Sequence, residues 1–278
     1  MNQAESTKEF YNKYGEKEWE RLFRSPQDRL NYFLHLDFLD DVIKEDHKVF
    51  DAGCGGGRFS IEFARRGAML TLLDISDEQV RIAENKLKEH GLGSKVDKAL
   101  VGDIGKLDKL ENDTFDVTVC YGAPLSYLYE NYFDGMKELY RVTKPGGKVF
   151  ISVNNRLGVI RTLIGRKGFD VVDFLARKDY WFVDQVVDSG NLPSHPEVAH
   201  PPRHFFEAQE LRGLFEKIGF KDIRLASSPC LSAGLSDRVE DIYQNEAAWK
   251  TLIELELKSY QNPATLDLGE FLMIKGTK

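Results

Sequence analysis

Long apolar runs are missing from this 278-residue chain. No window approaches the roughly 20 apolar residues that a membrane-spanning helix needs, and the opening MNQAESTKEFYNKYGEKEWERL is charged throughout. Neither a span nor an export signal is expected, and the reading is of a soluble, cytoplasmic protein. Cysteine is scarce as well. Cys54, Cys120 and Cys230 are odd in number and far apart, which excludes a disulfide framework and a CxxC metal site and suits a reducing compartment. Excess positive charge is also lacking: 38 Lys and Arg against 45 Asp and Glu leave −7. Phosphate neutralisation requires clustered cations, so a chain that binds nucleic acid over its whole surface is not expected, and DNA is not an expected partner. No internal repeat or low-complexity tract is present.

What is present is an alternation. From Lys48 to Val153, short apolar runs (KVFDAG, MLTLLDIS, KALVGD, FDVTVCYG, KVFISVNN) alternate with amphipathic stretches (RFSIEFARRG, DEQVRIAENKLKEHG, YFDGMKELYRVTKPGG). Strands alternating with helices imply crossover units, hence an α/β fold: a doubly wound, mostly parallel seven-stranded sheet with helices on both faces. A helix is predicted over Asp77 to His90, with acidic residues at its start and Gly91 at its stop. Later come a helix pattern FEAQELRGLFEKIGF, a strand KDIRLASS and a final strand LGEFLMIKG. Two stretches without a strand signal interrupt them. Residues 156–202 form one, and 235–262 the other, the latter carrying one long helix pattern with Ile242, Trp249, Ile253, Leu257 and Tyr260 on one face. The expected organisation is a helical lid (1–45), a ligand-binding core (46–155), a helical cap insertion (156–202), core again (203–234), a second cap helix (235–262) and a last core strand (263–278). Both insertions and the lid should cover the carboxyl edge of the sheet, where ligands bind.

The densest glycine cluster is VFDAGCGGGRF. A loop that leaves a strand and opens a helix brings backbone N–H groups close to a ligand only where side chains do not intervene. The dinucleotide spacing GxGxxG fails in both frames: from Gly53 its third glycine falls on Arg58, and from Gly55 it falls on Ser60. No GxxxxGK[ST] phosphate loop exists either. What stands is Asp51-x-Gly53-x-Gly55-x-Gly57, followed 23 residues after Asp51 by Asp74 at the next strand end, where a carboxylate can accept both hydroxyls of a ribose. Asp103 and Ile104 end the third strand, suited to an exocyclic amine and a purine face. Tyr121 and Gly122 end the fourth.

On these residues Val49 to Val153 resembles the core of class I S-adenosylmethionine-dependent methyltransferases, through VFDAGCGGG, LLDIS, VGDI, FDVTVCYG and LYRVTKPGGKVFISV in order. The resemblance implies S-adenosyl-L-methionine as cofactor and S-adenosyl-L-homocysteine as product. It places Gly53, Cys54, Gly55 and Gly57 under the methionine part with Asp51 beside them, Asp74 on the ribose, Ile75 and Ile104 about the adenine, Asp103 at its amino group and Tyr121 at the methyl-transfer mouth. The segment before the core resembles the family's helices that fold over the cofactor, which makes Arg29 the candidate for the methionine carboxylate. Tyr11 and Tyr14 are candidates for the same carboxylate or the acceptor.

For the acceptor the residues say less. Methyl transfer from a sulfonium is an in-line displacement, and a base is needed only where the acceptor loses a proton. CYGAPLSYL lacks the [DN]PP[FY] motif of amino-group methyltransferases, and the Pro-Cys at Cys230 lies too late in the chain for a cytosine-type nucleophile. In HPEVAHPPRHFF, His195, His200 and His204 have only Glu197 beside them, so no metal site is expected. They are ordinary loop histidines, or His200 or His204 serves the acceptor as base or hydrogen-bond partner, with Arg203 anchoring an acidic group. Tyr121 is the third catalytic candidate. Arg156, Arg161, Arg166, Lys167, Arg177 and Lys178 against Asp170 and Asp173 make this part of the cap positive, either as a solvated face or as a contact for an anionic acceptor or RNA phosphate. The stretch SVNNRLGVIRTLIGRKGFD with the C-terminal LIELELKSYQNPATLDLGEFLMIKG resembles, loosely, bacterial tRNA methyltransferases that esterify 5-carboxymethoxyuridine. The expected function is methyl transfer to an O, N or S atom of a small acidic or aromatic acceptor; the alternatives are a tRNA wobble-uridine carboxylate and a non-catalytic cofactor-binding regulator.

Overall fold

The computed structural model describes residues 3–165, 170–176, 181–195, 198 and 200–278. The chain begins with three helices, α1 (Gln3–Tyr14), α2 (Glu16–Arg21) and α3 (Pro26–Leu39). Seven strands then build one sheet: β1 (Lys48–Ala52), β2 (Met69–Asp74), β3 (Val96–Val101), β4 (Phe115–Cys120), β5 (Thr143–Asn154), β6 (Lys221–Ser228) and β7 (Phe271–Thr277). Their order is β3-β2-β1-β4-β5-β7-β6. The pairs from β3 across to β5 are parallel, whereas β7 runs antiparallel to both β5 and β6. Between the strands lie α4 (Arg58–Arg65), α5 (Asp77–Glu89), α6 (Tyr132–Val142), α7 (Arg156–Gly165), α8 (Val171–Ala176), α9 (Trp181–Ser189), α10 (Ala208–Ile218), α11 (Ser236–Tyr243) and α12 (Glu246–Ser259).

Local chemistry explains the elements that position the site. Central strands covered on both faces read as near-continuous apolar runs, and in β1 Val49, Phe50 and Ala52 have no exposed surface. Helix α5 starts where the Ser76 hydroxyl accepts from Gln79 N–H, with Asp77 and Glu78 in its first turn. Helix α3 starts likewise at Ser25, with Pro26 in the first turn, and it buries Leu30, Leu34 and Phe38 at helical spacing against the sheet. Each such side chain contributes about 1.5–3 kcal/mol by leaving water.

Two stretches differ from their sequence pattern. Residues 235–262 hold two helices instead of one, because Asn245 accepts from Ala248 N–H and so opens α12 at the point where α11 has ended. Within 156–202, Asn191–Leu192 pairs in antiparallel fashion with Arg203–His204. Helix α12 also fixes the loop after β6: the buried carboxylate of Glu256 accepts from the N–H groups of Cys230, Leu231 and Ser232 and from the Ser232 hydroxyl. Cys230 donates its thiol to the same carboxylate, and burial together with that charge raises the thiol pKa, the opposite of an activated nucleophile.

Candidate cofactor and acceptor site

The strand order reverses between β1 and β4, and a cavity of ≈ 300 Å³ opens over the carboxyl ends of β1, β2 and β4 at that switch point. Its floor is the loop after β1. Gly53 has φ +78°, and a Cβ there would stand 2.3 Å from Pro124 Cγ, so no other residue fits. Gly53 N–H and Cys54 N–H both donate to Leu73 O, at 2.7 and 3.0 Å, which pins the loop to β2. The Cys54 thiol is buried, and desolvation with Asp74 and Asp51 nearby keeps it protonated. Gly57 does another task than expected. It precedes α4 in the left-handed region with Ala83 3.0 Å from its would-be Cβ, and it does not line the cavity.

Two carboxylates face this floor. Asp74 accepts from Gly55 N–H and Ser76 N–H, both at 2.9 Å, one on each oxygen, which leaves a lone pair on each for a ligand diol. Burial pushes its pKa up to about 6, against the pull of those two N–H groups. Asp51 is buried too and accepts from Ser60 Oγ at 2.5 Å; burial pushes it up to about 7. Farther along, Asp103, Ile104 and Ile75 line the cavity together, with Asp103 Oδ1 accepting from Gly105 N–H at 2.8 Å. On the other side of the glycine loop the wall is apolar and aromatic: Leu22, Phe59 and Tyr121, all buried. The Tyr121 hydroxyl has no hydrogen-bond partner among the described residues, and burial holds it protonated. His35 meets the Tyr121 ring edge-on at 4.9 Å, and burial lowers its pKa to about 4, so it is neutral.

The roof comes from the N-terminal helices. Tyr11 lines the cavity and packs edge-on against Tyr127 at 5.6 Å, and α2 supplies Glu18 and Arg21. Arg29 is not there. It lies off the α3 face that packs on the sheet, its Nη1 3.4 Å from the Tyr243 hydroxyl of α11 and its guanidinium 5.9 Å from the Phe23 ring. Arg21, which the sequence pattern did not single out, is the guanidinium on the cavity wall.

Other expected residues also lie elsewhere. Tyr14 stacks on Phe10 and does not reach the cavity. His200 packs against Phe10 at 5.0 Å. His204 is buried between Asn191 Oδ1 (2.6 Å) and Glu210 Oε1 (2.9 Å), under the stacked ring of Tyr132, and so ties the cap to α10. Arg156 is engaged by Glu210 at 2.8 Å and Glu207 at 3.4 Å, and Arg203 donates to the Tyr127 hydroxyl at 3.1 Å from behind the wall. Of the basic cap residues, Arg161 donates to the carbonyls of Cys230, Leu231 and Leu268, while Arg166, Lys167, Arg177 and Lys178 lie outside the described residues, as does Glu197. No described residue of 156–202 or 235–262 lines the cavity, so the roof is N-terminal and the insertions support it from outside. Among the described residues no group of three or more His, Cys, Asp or Glu side chains is placed to hold a metal ion, and no helix is long and apolar enough to cross a membrane.

The donor set fits a nucleoside that bears an amino acid instead of a phosphate. The floor is bare backbone, Asp74 offers two free lone pairs for a diol, and Arg21 is already balanced by Glu18, which leaves a zwitterionic pair where a pyrophosphate site would be cationic. A doubly wound sheet with such a seat at its switch point defines a Rossmann-like nucleoside-binding enzyme. Comparison with known proteins narrows the class. Residues 49–147 match the methyltransferase-domain family model. A ubiquinone biosynthesis O-methyltransferase of Idiomarina loihiensis is 33% identical over 201 residues, 70% of this chain and 71% of that protein. One of Dechloromonas aromatica is 34% identical over 124 residues, 44% of this chain and 51% of the relative; most of the curated relatives are matched over about half their length. Among solved structures, a phosphoethanolamine N-methyltransferase of Haemonchus contortus in complex with S-adenosyl-L-methionine superposes with TM-score 0.55 at 18% identity, covering 89% of this chain and 52% of that one. A methyltransferase of Methanosarcina mazei gives 0.53 at 20% identity over 86% and 96%. The [4+2]-cyclase SpnF gives 0.55 at 18% identity over 89% and 81%, a reminder that the fold alone does not decide the chemistry. The chain belongs to the class I S-adenosylmethionine-dependent methyltransferase family. S-adenosylmethionine is its cofactor.

Proposed function

We propose that this methyltransferase acts on a hydroxyl oxygen of a small aromatic acceptor. The observation that carries the reading is the wall of Leu22, Phe59 and Tyr121, a buried apolar slot in the same cavity as the glycine floor. The O-methyltransferase names of the relatives support it. In this reading Asp74 holds the ribose, Asp103 meets the adenine amino group between Ile75 and Ile104, Asp51 and the Gly53–Gly55 backbone lie along the methionine chain, and Arg21 takes its carboxylate. The cofactor supplies a methyl group on a cationic sulfur. The chain aligns the acceptor oxygen in line with that methyl and excludes water, with the Tyr121 hydroxyl as the polar handle of an otherwise apolar slot. His200 and His204 have no part in it, because neither lines the cavity.

A tRNA acceptor has less support, since Arg156 and Arg161 are turned inward. The test is incubation of the protein and methyl-labelled cofactor with a phenol panel, a metabolite extract and bulk tRNA in parallel. Label in an alkali-stable, small-molecule product is expected. Label confined to tRNA, or to alkali-labile esters, overturns the reading.

A further inference from the structure

Among the described residues two guanidinium groups line the cavity, and they differ in how they are compensated. Arg21 is neutralised by Glu18 through three hydrogen bonds of 2.7–3.0 Å. Arg58, the first residue of α4, has no such partner among the described residues. Its guanidinium carbon lies 3.5 Å from the centre of the Trp19 ring and 4.5 Å from that of Phe23, and Nε donates to Trp19 O at 2.7 Å. Among the described residues no carboxylate lies within ion-pair distance of it, and Nη1 and Nη2 have no acceptor. Glu20 favours its charge only from farther away, and burial outweighs that, lowering the basicity.

Clamped by two aromatic faces and one carbonyl, this side chain has its donor fork oriented in advance, so an arriving anion would meet little of the usual ordering cost. A planar carboxylate matches that fork bidentately. The cofactor has one α-carboxylate, and the zwitterionic pair on the glycine floor already answers it: Glu18 Cγ stands 3.3 Å from the Cβ that Gly55 lacks, and Arg21 Nη2 stands 3.3 Å from that of Gly122. Arg58 lies with Trp19 and Phe23, and Phe23 leads through Tyr32 to Phe59 of the apolar wall by ring contacts of 5.1 and 5.0 Å.

We propose that Arg58 anchors a carboxylate on the acceptor, so that the acceptor is an aromatic hydroxy acid in preference to a neutral phenol. The proposal rests on the O-methyltransferase reading above and assigns its substrate class.

The experiment is calorimetry on the whole chain saturated with S-adenosylhomocysteine, titrated with phenol and with the hydroxybenzoate isomers, for the wild type, Arg58→Met and Arg58→Lys. The wild type should bind the best hydroxybenzoate about tenfold or more tighter than phenol. R58M should bring the two within about twofold, R58K should keep part of the preference, and S-adenosylhomocysteine affinity should stay within about threefold in both. Thermal unfolding checks that the variants fold; if R58M does not, R58K carries the comparison, because the lysine keeps the charge and loses only the fork. Loss of cofactor affinity by tenfold in either variant would assign Arg58 to the cofactor and overturn the proposal. Equal binding of phenol and hydroxybenzoates by the wild type overturns the anion subsite while leaving aryl O-methylation standing. No binding of either probe class overturns both.

Discussion

Glu18 and Arg21, one helical turn apart on α2, form a closed ion pair over the glycine loop, with Arg21 Nε 3.0 and 2.9 Å from the two carboxylate oxygens and Nη2 2.7 Å from one of them. Both side chains are mostly withdrawn from solvent. An ion pair in that position is a molecular complement of an amino acid: the carboxylate can meet an α-ammonium while the guanidinium meets an α-carboxylate, and no net charge is left behind.

Arg21→Ala is therefore expected to weaken S-adenosylmethionine binding by about 10- to 100-fold, the worth of a charged hydrogen-bond pair in a partly dry site. Arg29→Ala should change it by less than about twofold. Calorimetry on the two variants decides the matter, with Glu18→Gln/Arg21→Gln as the control in which no stranded carboxylate remains. Equal effects of R21A and R29A would remove Arg21 from the site.

Gly53 and Gly146 share the same backbone angle, φ +78°, in different surroundings. Gly146→Ala meets nothing within 4 Å and should cost only the conformational penalty, about 1 kcal/mol. Gly53→Ala adds a contact of 2.3 Å with Pro124 and should cost roughly 1–3 kcal/mol more, with loss of cofactor binding. Urea unfolding of both variants measures the difference. A Gly53→Ala protein as stable as Gly146→Ala would show that Pro124 yields.

The pH dependence has opposing contributions, Asp51 and Asp74 on one side and His35 on the other. Asp51, raised to about 7, is protonated in the folded chain while the unfolded chain has lost its proton above about pH 4, so its contribution to stability falls as pH rises from about 4 to 7. His35, lowered to about 4, is neutral in the folded chain while the unfolded chain still binds a proton, so its contribution rises from about pH 4 to 6.5. Relative to wild type, Asp51→Asn should gain stability with rising pH by up to about 1.4 kcal/mol per unit and level off above 7; His35→Asn should have its relative advantage at the acid end. Denaturant midpoints of the cofactor-free proteins at several pH values test both signs.

Tyr121→Phe removes a buried hydroxyl that has no partner among the described residues, and it should leave stability unchanged or raise it by up to about 1 kcal/mol while methyl transfer falls. Tyr260→Phe is the contrast. Its hydroxyl donates to Asp37, so the change should cost about 1–3 kcal/mol. Thermal unfolding and a single-turnover assay separate the two, and undiminished transfer in Y121F would take Tyr121 out of the reaction.

The legible parts of this molecule were those where backbone geometry restricts residue type. Gly53 has no room for a side chain, Gly55 sits at positive φ, and Val49, Phe50 and Ala52 of β1 are fully buried, so composition and spacing carried the sheet and the floor of the site. The choice between Arg21 and Arg29 was not of that kind. Both are arginines on N-terminal helices, and which one reaches the cavity follows from the phase of α3, set by Leu30, Leu34 and Phe38 against the sheet, a tertiary fact that no local pattern records. The insertions misled for a similar reason: their apolar faces pack on α3 and the late loops, and nothing in a helical pattern tells which partner it will find.

One bond pair has a consequence for how the molecule is made. Gln3 donates to the carbonyls of Tyr127 and Pro202, residues 124 and 199 positions later in the chain. The roof of the cavity thus emerges from the ribosome in front of both its docks: α1 meets α5 first, where Gln79 donates to Tyr11 O and Ser76 to Asn12 Oδ1, while its Gln3 end waits for the end of the first insertion. In this protein the first helix can settle on α5 once residue 89 has been made, but its Gln3 end is pinned only after residue 202 has been added.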